Sequence, residues 1–474
     1  NRNRNRQRQD TRHTGEFIME STLVPAQPRN RRLDFFRGVA LLVIFVNHMP
    51  GNPWFWYTPS RFGFSDSAEI FVFLSGYVSA VAYGRCFGQA GLALGSVRVF
   101  LRCTQIYAAH LASFLAMAAI CVFGSRWLPG TDYIQQLNIA YFFDNTQQAV
   151  FDLFALAYVP NYFDILPLYL VLLAWVPLAW SLSLVSKYLA LAASLLVYAL
   201  AWYYGLELSG EPNGGRPWFF NPFCWQLLFF SGFAFAAGWL PQPGYRPGLA
   251  WACALLVVLA VPLAYEPFYT GHSLLLELRA HLEPLLDKSH LGPLRWLHLL
   301  ALAYLAGQIP AVIAVRLERG PARWVADMGR QSLAVFLCGM ALSYLGGMAL
   351  DLAGREPLVT AAVNLAGIAV LMAIAQLLAW LETKPWQAAY RANVGREPSR
   401  PALWFGLGLK QAAAIPVLVC AAATPLLLLR SQDGASPPAV AEAPPVAPPP
   451  SGELLKTGTT PASEDAETVA QRQL

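Results

Sequence analysis

The sequence predicts an all-α integral membrane protein, a polytopic bundle of about ten or eleven transmembrane helices with disordered termini. Of its 474 residues, 56% are hydrophobic and only 13% are charged, whereas about a quarter of the residues in soluble domains are charged. Crossing the hydrocarbon of a bilayer takes about 20 apolar residues in a helix. Eleven segments approach that length, although several are short or broken by proline, so that ten or twelve spans also fit. They are residues 35–50, 67–84, 104–123, 165–184, 188–205, 223–240, 249–265, 294–315, 331–350, 358–381 and 411–429.

Four regions follow from changes in composition along the chain. Residues 1–32 form a basic, low-complexity arm that we expect to be disordered, and residues 33–385 form the transmembrane core. Residues 386–430 hold a basic inner loop and a last helix, which two prolines interrupt. Residues 431–474 are rich in Pro, Ala and Glu, which predicts an extended, disordered tail. With eleven spans this tail lies outside, and without the last helix it lies inside.

The distribution of charged residues predicts the orientation in the membrane, and the cysteines and missing motifs exclude several classes of functional site. Most of the 33 Lys and Arg side chains fall in one alternating set of loops. Because cytoplasmic loops are enriched in these residues, the N-terminus is predicted to be cytoplasmic. The net charge of +5 reflects this anchoring to membrane lipids, so no nucleic-acid partner is expected. The seven cysteines form no CxxC pair, and no GxSxG, Walker or HExxH motif is present, so none of the usual metal sites or soluble hydrolase and nucleotide sites is indicated.

The first predicted span carries three ionisable side chains within LDFFRGVALLVIFVNHMPGNP, residues 33–53. Arg37 and His48 are eleven residues apart, which places them on one face of a helix with about 16 Å of rise between them. An ionisable residue inside a span is a functional candidate by default. Three structural interpretations stay open. Arg37 could be an anchor in the lipid headgroups, Asp34 a helix N-cap or the partner of Arg37, and His48 a satisfied buried histidine.

The first span is also short, since the stretch from Phe35 to Met49 covers about 22 Å of a hydrocarbon core about 30 Å thick. The PGNP segment that follows Met49 ends the helix before the outer face. Irregular backbone at that depth is tolerated only where it is buried in protein or lines a watery cavity. We therefore expect His48 to lie at the floor of a cavity that opens to the outside.

Two carboxylates, Asp66 and Glu69, begin the second span three residues apart and share one face of its helix. Asp66 can cap the helix, with Glu69 reaching back to complete a capping box. Alternatively, one carboxylate orients His48, because both spans meet at their outer ends. Neutral imidazole is the natural general base near pH 7. The sequence therefore predicts His48, Asp66 and Glu69 as catalytic residues.

Weaker candidates lie in the loops and near other span ends. Arg102 and His110 share a face of the third span, and His298 lies inside the eighth. Arg102 and the basic inner loops suit the phosphates of a nucleotide-like donor. Asp164 and Asp287 belong to two long outer loops that mix acids with aromatic residues, as carbohydrate-binding sites do. Core or interfacial roles remain open for all of them.

Several stretches resemble one known family. The segment RLDFFRGVALLVIFVNHMPGNPWFW, followed by FGFSDSAEIFVFLSGY, closely resembles the OpgC proteins, which succinylate osmoregulated periplasmic glucans. The spacing of Arg37 and His48 also fits the first helix of acyltransferase family 3, and the LSG at Leu74–Gly76 matches its second helix. Further matches carry the resemblance from about residue 31 to 346: NYFDILPLYLVLLAWVPLAW, NPFCWQLLFFSG, DKSHLGPLRWLHLLALAYL and MGRQSLAVFLCGMALSYLG.

The resemblance implies a bacterial inner-membrane O-acyltransferase. It would take an acyl group, succinyl in this family, from cytoplasmic acyl-CoA and pass it to hydroxyls of a periplasmic glucan. Acyl-CoA would be a co-substrate, and no permanently bound cofactor or metal is expected. Two alternatives remain open: an O-acetyltransferase acting on another cell-envelope glycan or lipid, and a non-enzymatic carrier or flippase for a polar substrate.

The mechanism that follows assigns a role to each candidate. Arg37 and Arg102 bind CoA at the inner side, and its acyl arm threads between helices toward His48. His48 removes the proton from the acceptor hydroxyl, while a carboxylate of the second span orients the imidazole. The two loop aspartates, Asp164 and Asp287, bind the glucan.

Overall fold

A computed structural model of the chain describes residues 30–128, 130–211, 216–308, 317 and 319–387. One compact unit extends along the chain to Ala379, and a second begins at Trp380. The described residues form helices and connecting segments without a β-strand.

Sixteen α-helices are defined within the described ranges. In chain order they are α1 (Arg31–Asn47), α2 (Ser67–Trp127), α3 (Tyr133–Gln136), α4 (Ala140–Asp144), α5 (Thr146–Phe154), α6 (Ile165–Ala174), α7 (Val176–Val185), α8 (Lys187–Tyr204), α9 (Pro222–Ala236), α10 (Pro247–Ala264), α11 (Glu266–Tyr269), α12 (Ser273–Leu286), α13 (Pro293–Gly307), α14 (Gly320–Arg330), α15 (Ser332–Ala353) and α16 (Pro357–Glu382). Two short 3-10 helices, Pro53–Tyr57 and Pro59–Arg61, connect α1 to α2.

The predicted fold class is confirmed, because the described chain is all-α and carries several membrane-length helices. Five of its helical stretches are long and apolar enough to cross a membrane: Ser67–Trp127, Ile165–Val185, Pro247–Ala264, Ser332–Ala353 and Pro357–Gln387. The shorter helix α9 is also apolar. Ten of the eleven predicted spans coincide with helices. The eleventh, residues 411–429, lies outside the described residues, as do the predicted C-terminal tail and nearly all of the N-terminal arm.

The longest helix, α2, folds into a hairpin of two antiparallel arms. Its backbone turns at Gly91, whose φ of 81° lies in the left-handed region that favours glycine. Beyond the turn the arms pack together. A Cβ atom on Gly95 would lie 2.2 Å from the Phe87 ring, and the Arg98 guanidinium lies 6.0 Å from the centre of the Tyr83 ring. The second and third predicted spans are therefore the two arms of one hairpin.

Glycines bring pairs of helices into backbone contact at two crossings. A Cβ atom on Gly76 of α2 would lie 1.9 Å from the carbonyl oxygen of Phe229 in α9. A Cβ atom on Gly38 of α1 would also lie 1.9 Å from a carbonyl oxygen, that of Val325 in α14. Small residues at helix contacts allow such close approach. These crossings fix α2 against α9 and α1 against α14.

Helix α15 runs parallel to α1 and forms a wall beside it. Arg37 donates a hydrogen bond from Nη2 to Ser332 Oγ at 2.5 Å, near the start of both helices. Farther along, Ser343 Oγ donates to the carbonyl oxygen of Phe45 at 2.8 Å. The two contacts occur in the same order along both helices. Helix α15 therefore packs beside α1, in the same direction, from Arg37 to the C-terminal end of α1.

The largest fully buried side chains include Phe45 of α1, Phe114 of α2, Trp225 of α9 and Tyr344 of α15. Tyr133 of α3 and Tyr158, in the segment between α5 and α6, are also fully buried. At the C-terminal end of α1, two buried amides hold the turn in place. Asn52 Nδ2 donates to Asn364 Oδ1 of α16 at 2.8 Å, and Asn364 Nδ2 donates back to Asn52 Oδ1 at 3.0 Å.

Candidate active site

His48 lies directly after α1, where the helix ends, and its ring is half-buried. The backbone N–H of His48 bonds to the carbonyl oxygen of Ile44 at 2.9 Å, and the ring Nδ1 lies 2.8 Å from the same oxygen. A carbonyl oxygen only accepts hydrogen bonds, so Nδ1 must carry a hydrogen. In the neutral imidazole the lone pair is therefore on Nε2, the nitrogen that faces away from α1.

Tyr162 holds the other side of the His48 ring. The two rings meet edge to face with centroids 5.0 Å apart, and Tyr162 also packs on Tyr344 of α15 at 6.0 Å. Tyr162 adopts a φ of 71°, a left-handed backbone conformation that is uncommon for residues other than glycine. No local pattern singles out this side chain, because it lies in a loop more than a hundred residues from His48.

Asp66 and Glu69 form the capping box that one interpretation of the sequence predicted. Asp66 Oδ1 accepts from the backbone N–H of Ala68 at 2.8 Å, and Glu69 Oε2 accepts from the backbone N–H of Asp66 at 2.9 Å. Their remaining oxygens bind two cations. Lys288 Nζ lies 2.8 Å from Asp66, and Arg295 Nη2 lies 2.5 Å from Glu69. The four charges form an alternating, largely buried cluster, which we call the charge cluster.

The charge cluster controls the ionisation of Asp66 and lies within electrostatic range of His48. Burial opposes ionisation of Asp66, but Lys288 and Arg295 outweigh it and hold the pKa of this carboxyl well below its usual range. Both Asp66 and Lys288 act electrostatically on His48. Neither makes a hydrogen bond to the His48 ring, whose bonded partner is Ile44. A carboxylate that binds the imidazole directly is therefore not part of this arrangement.

Asp164 comes close to the same cluster through Phe219. The Lys288 ammonium lies 5.7 Å from the centre of the Phe219 ring, and the backbone N–H of Phe219 donates to Asp164 Oδ1 at 3.1 Å. The side chain of Asp164 is 98% buried, and its burial raises the pKa of the carboxyl to about 6. Its second oxygen, Oδ2, has no hydrogen-bond partner among the described residues.

Asp287 is occupied by its own turn. Its oxygens accept from the backbone N–H groups of Ser289 at 3.0 Å and His290 at 3.2 Å, and Oδ2 lies 2.5 Å from His290 Nδ1. The other nitrogen of His290 lies 3.0 Å from Glu207. By holding this turn, Asp287 helps to position the neighbouring Lys288. Its contact with glucan stays a prediction.

At the opposite end of α1, Arg37 is buried within the protein and not exposed to lipid headgroups. Its side chain bonds to Ser332, and its guanidinium lies 5.6 Å from the centre of the Phe71 ring. Only 8% of the residue is exposed, which excludes the anchor interpretation. The N-cap of α1 is Asn30, whose side chain accepts from the backbone N–H of Arg32. The interpretation of Asp34 as that N-cap is therefore wrong.

The remaining candidates lie on α2 and α13. Arg102 is on the second arm of α2, where it donates to Gln105 at 3.0 Å. His110 is buried on the same arm beside the Phe163 ring. His298 of α13 is buried, and its Nδ1 accepts a hydrogen bond from the Ser65 backbone at 3.3 Å and lies 2.7 Å from Ser65 Oγ.

Sequence reasoning assigned no role to Tyr162, Arg295 or Ser332. Lys288 belongs to the DKSH segment that resembles the OpgC family, but its pairing with Asp66 was not predicted. All these contacts join segments more than a hundred residues apart, which one sequence does not reveal. Within the described ranges, no group of three or more His, Cys, Asp or Glu side chains is arranged to hold a metal ion.

The arrangement provides a half-buried imidazole with a defined lone pair at one end of α1 and a buried Arg toward the other end. Comparison with curated proteins and with solved structures gives no match. A family model described as OpgC protein matches residues 29–383, about three quarters of the chain. The sequence stretches that resemble this family include the segments that carry Arg37, His48, Asp66, Tyr162 and Lys288. The chain therefore belongs to the OpgC family.

Proposed function

We propose that this protein is a membrane O-acyltransferase that moves a succinyl group from acyl-CoA to hydroxyls of a glucan, with His48 as the general base. Family membership and the membrane-length helices support an acyltransferase-type role in glucan modification. The acyl group follows from the resemblance to OpgC proteins, and the donor from the R-x10-H spacing that the chain shares with acyltransferase family 3.

The tautomer of His48 is the observation that carries the proposal. Since Nδ1 donates to the Ile44 carbonyl oxygen, the neutral ring offers its lone pair at Nε2. A general base must reach the proton of the attacking hydroxyl and be neutral near the working pH. The residue is not fully buried, and it lies directly after the last residue of α1.

The reaction follows from this lone pair. Nε2 accepts the proton of a glucan hydroxyl while its oxygen bonds to the acyl carbon of the thioester. The carbon–sulfur bond then breaks, and the CoA sulfur leaves with the proton that Nε2 took up. Neutral imidazole is restored, and the products are the glucan ester and free CoA.

Donor and acceptor approach from opposite ends of α1 in this proposal. Arg37, buried and bonded to Ser332, meets the CoA arm from the cytoplasmic side, and Arg102 is a second candidate for CoA binding. The acceptor approaches the His48 end from the periplasm, where Asp164 and Asp287 are candidates for binding glucan hydroxyls.

The proposal is tested with the full chain, purified in lipid nanodiscs and supplied with succinyl-CoA and a glucan oligosaccharide. Mass spectrometry of the glucan then reports the ester and distinguishes succinyl from acetyl transfer when acetyl-CoA is used instead. We expect His48→Gln to lower kcat about 10²- to 10⁴-fold, the usual contribution of a general base. His272→Gln, at an exposed histidine, is the matched control.

Two results would overturn the proposal. If the His48→Gln protein keeps the wild-type rate, His48 is not the general base. If no ester forms with any acyl-CoA, the protein is better explained as a carrier. Uptake of the oligosaccharide into sealed vesicles without ester formation would identify that carrier directly.

A further inference from the structure

Tyr162 lies against His48 in a backbone conformation that needs support from elsewhere. Its φ of 71° is uncommon for a bulky residue, and such strain persists only when the surrounding structure enforces it. Its ring is enclosed between the His48 ring at 5.0 Å and the Tyr344 ring at 6.0 Å. The strained residue is therefore the one that contacts the imidazole of the proposed base.

Arg216 holds the segment that carries Tyr162. One guanidinium nitrogen, Nη1, donates to Asn161 Oδ1, and the other, Nη2, donates to the carbonyl oxygen of Val159 at 2.5 Å. The planar guanidinium thus fixes two points of the chain directly before Tyr162, as the fork geometry of arginine allows. We call this group of contacts the Arg216 clasp.

A second set of contacts fixes the chain on the other side of Tyr162. Asp164 Oδ1 accepts from the backbone N–H of Phe219 at 3.1 Å, and Arg216 also acts electrostatically on Asp164. Before Tyr162, the backbone N–H of Val159 also donates to the carbonyl oxygen of Gly210 at 2.8 Å. Residues 159–164 are consequently held before and after Tyr162, whose ring packs against His48 and Tyr344.

We infer that Tyr162 is a positioning residue for His48 and that the Arg216 clasp holds it there. The ring of Tyr162 keeps the imidazole in the orientation that directs Nδ1 to Ile44 and Nε2 away from α1. The phenol ring, and not its hydroxyl, is what the contact with His48 requires, because the two rings meet edge to face. The effect on catalysis rests on the proposed function, whereas the contact that orients the His48 ring does not depend on it.

Three variants separate the ring, the hydroxyl and the clasp. Tyr162→Asn keeps a residue that tolerates a left-handed backbone but removes the ring. Tyr162→Phe keeps the ring and removes the hydroxyl. Asn161→Ala removes one acceptor of the Arg216 clasp and is a milder change than Arg216→Ala. If Arg216→Ala fails to fold, Asn161→Ala still tests the clasp. Arg126→Ala, at an exposed arginine of α2, is the matched control.

The first readout needs no enzymatic activity. Diethyl pyrocarbonate modifies the unprotonated nitrogen of accessible imidazoles, and peptide mass spectrometry gives the rate at each histidine. The exposed His272 and His281 serve as internal references in the same protein. We expect His48 to react severalfold faster relative to them in Tyr162→Asn, Arg216→Ala and Asn161→Ala. Tyr162→Phe and Arg126→Ala are expected to react like the wild type.

The second readout is steady-state kinetics of ester formation. We expect Tyr162→Asn and Arg216→Ala to lower kcat about ten- to a hundredfold, as loss of orientation does, with KM for acyl-CoA unchanged. Because both changes act through the same contact, the double variant should be no slower than the slower single variant.

Wild-type modification rates of His48 in both Tyr162→Asn and Arg216→Ala would overturn the inference, whether or not the protein forms an ester. A Tyr162→Phe protein as slow as Tyr162→Asn would also overturn it, since the hydroxyl would then be the active part. If no ester forms but His48 reacts faster in the variants, the proposed function fails while the positioning contact stands.

Discussion

At the Arg37 end of α1, the helix packs through glycine against α14, and the guanidinium is buried beside Ser332 and the Phe71 ring. At the His48 end, the helix has stopped, and the half-buried imidazole packs against Tyr162, whose backbone is in the left-handed region. The neighbours of Arg37 come from regular helices in contact along their length. Those of His48 come from helix ends and loops.

The difference indicates how each end keeps its side chain in place. Helix packing fixes Arg37, because backbone atoms of α1 and α14 touch and leave no freedom to slide. His48 depends on side-chain contacts from several separate segments, which can be removed one at a time. Substitutions at the Arg37 end should therefore act mainly on stability, and those at the His48 end mainly on the reaction.

The largest expected effect is a loss of stability in the charge cluster, where side-chain contacts and not helix packing hold the residues. Glu69 is completely buried and pairs with Arg295. Glu69→Gln removes the closer of the two carboxylates that Arg295 contacts and leaves it only Asp66, at 3.7 Å. Breaking a buried ion pair costs about 3–5 kcal/mol of unfolding free energy. Equilibrium unfolding in detergent measures this change. Glu283→Gln is the control, because Glu283 pairs with Arg279 in an exposed i,i+4 position. Equal effects of the two changes would show that the charge cluster is not structural.

The next effect concerns the glycine contact at the Arg37 end. Gly38→Ala adds a Cβ atom 1.9 Å from the carbonyl oxygen of Val325, so α1 and α14 must move apart. We expect a loss of at least about 1–3 kcal/mol, as for other overpacked sites, measured as a lower unfolding temperature. Gly88→Ala is matched to it, since a Cβ atom there meets nothing within 4 Å. If Gly38→Ala were as stable as Gly88→Ala, the close crossing would be absent.

The smallest effect concerns the Asp287–His290 pair, which flanks Lys288 in the chain and is partly exposed. The hydrogen bond to Asp287 raises the pKa of His290. Burial opposes ionisation of Asp287, but the bonds from His290 and from the backbone of Ser289 and His290 outweigh it, so the pKa of this carboxyl is lowered. A raised histidine pKa stabilises the fold at low pH and loses that effect as pH rises through it. A lowered aspartate pKa stabilises at high pH and loses that effect as pH falls.

The contribution of this pair is therefore complete between the unfolded-state pKa values of about 3.9 and about 6.5 and decreases on either side. We expect His290→Gln, which keeps a polar donor but no charge, to cost less than about 1 kcal/mol near pH 5, as exposed pairs do. Unfolding temperatures of both proteins across pH measure the difference. It should shrink at alkaline pH, and a difference that instead grows with pH contradicts the assignment.

Some features of α1 and its neighbours could be predicted from the sequence, and others could not. The spacing of Arg37 and His48 follows from the 3.6-residue period. Pro50 and Gly51 predict that the helix ends by Met49, and α1 ends two residues earlier, at Asn47. The capping box of Asp66 and Glu69 is equally local and was among the predicted interpretations. The partners of these residues are not local, because Lys288 and Tyr162 reach the site only after the helices pack.

By itself, the sequence determined the all-α membrane class, most of the helices, the family and the line from Arg37 to His48. These depend on composition, local periodicity and residues close together in the chain. Only the tertiary structure decided that α15 runs beside α1, that Arg37 faces the protein and that Tyr162 meets His48. It also decided that Asp66 and Glu69 bind cations and not the imidazole. These contacts join distant segments, and their energies depend on burial and mutual geometry, which no single stretch of sequence specifies.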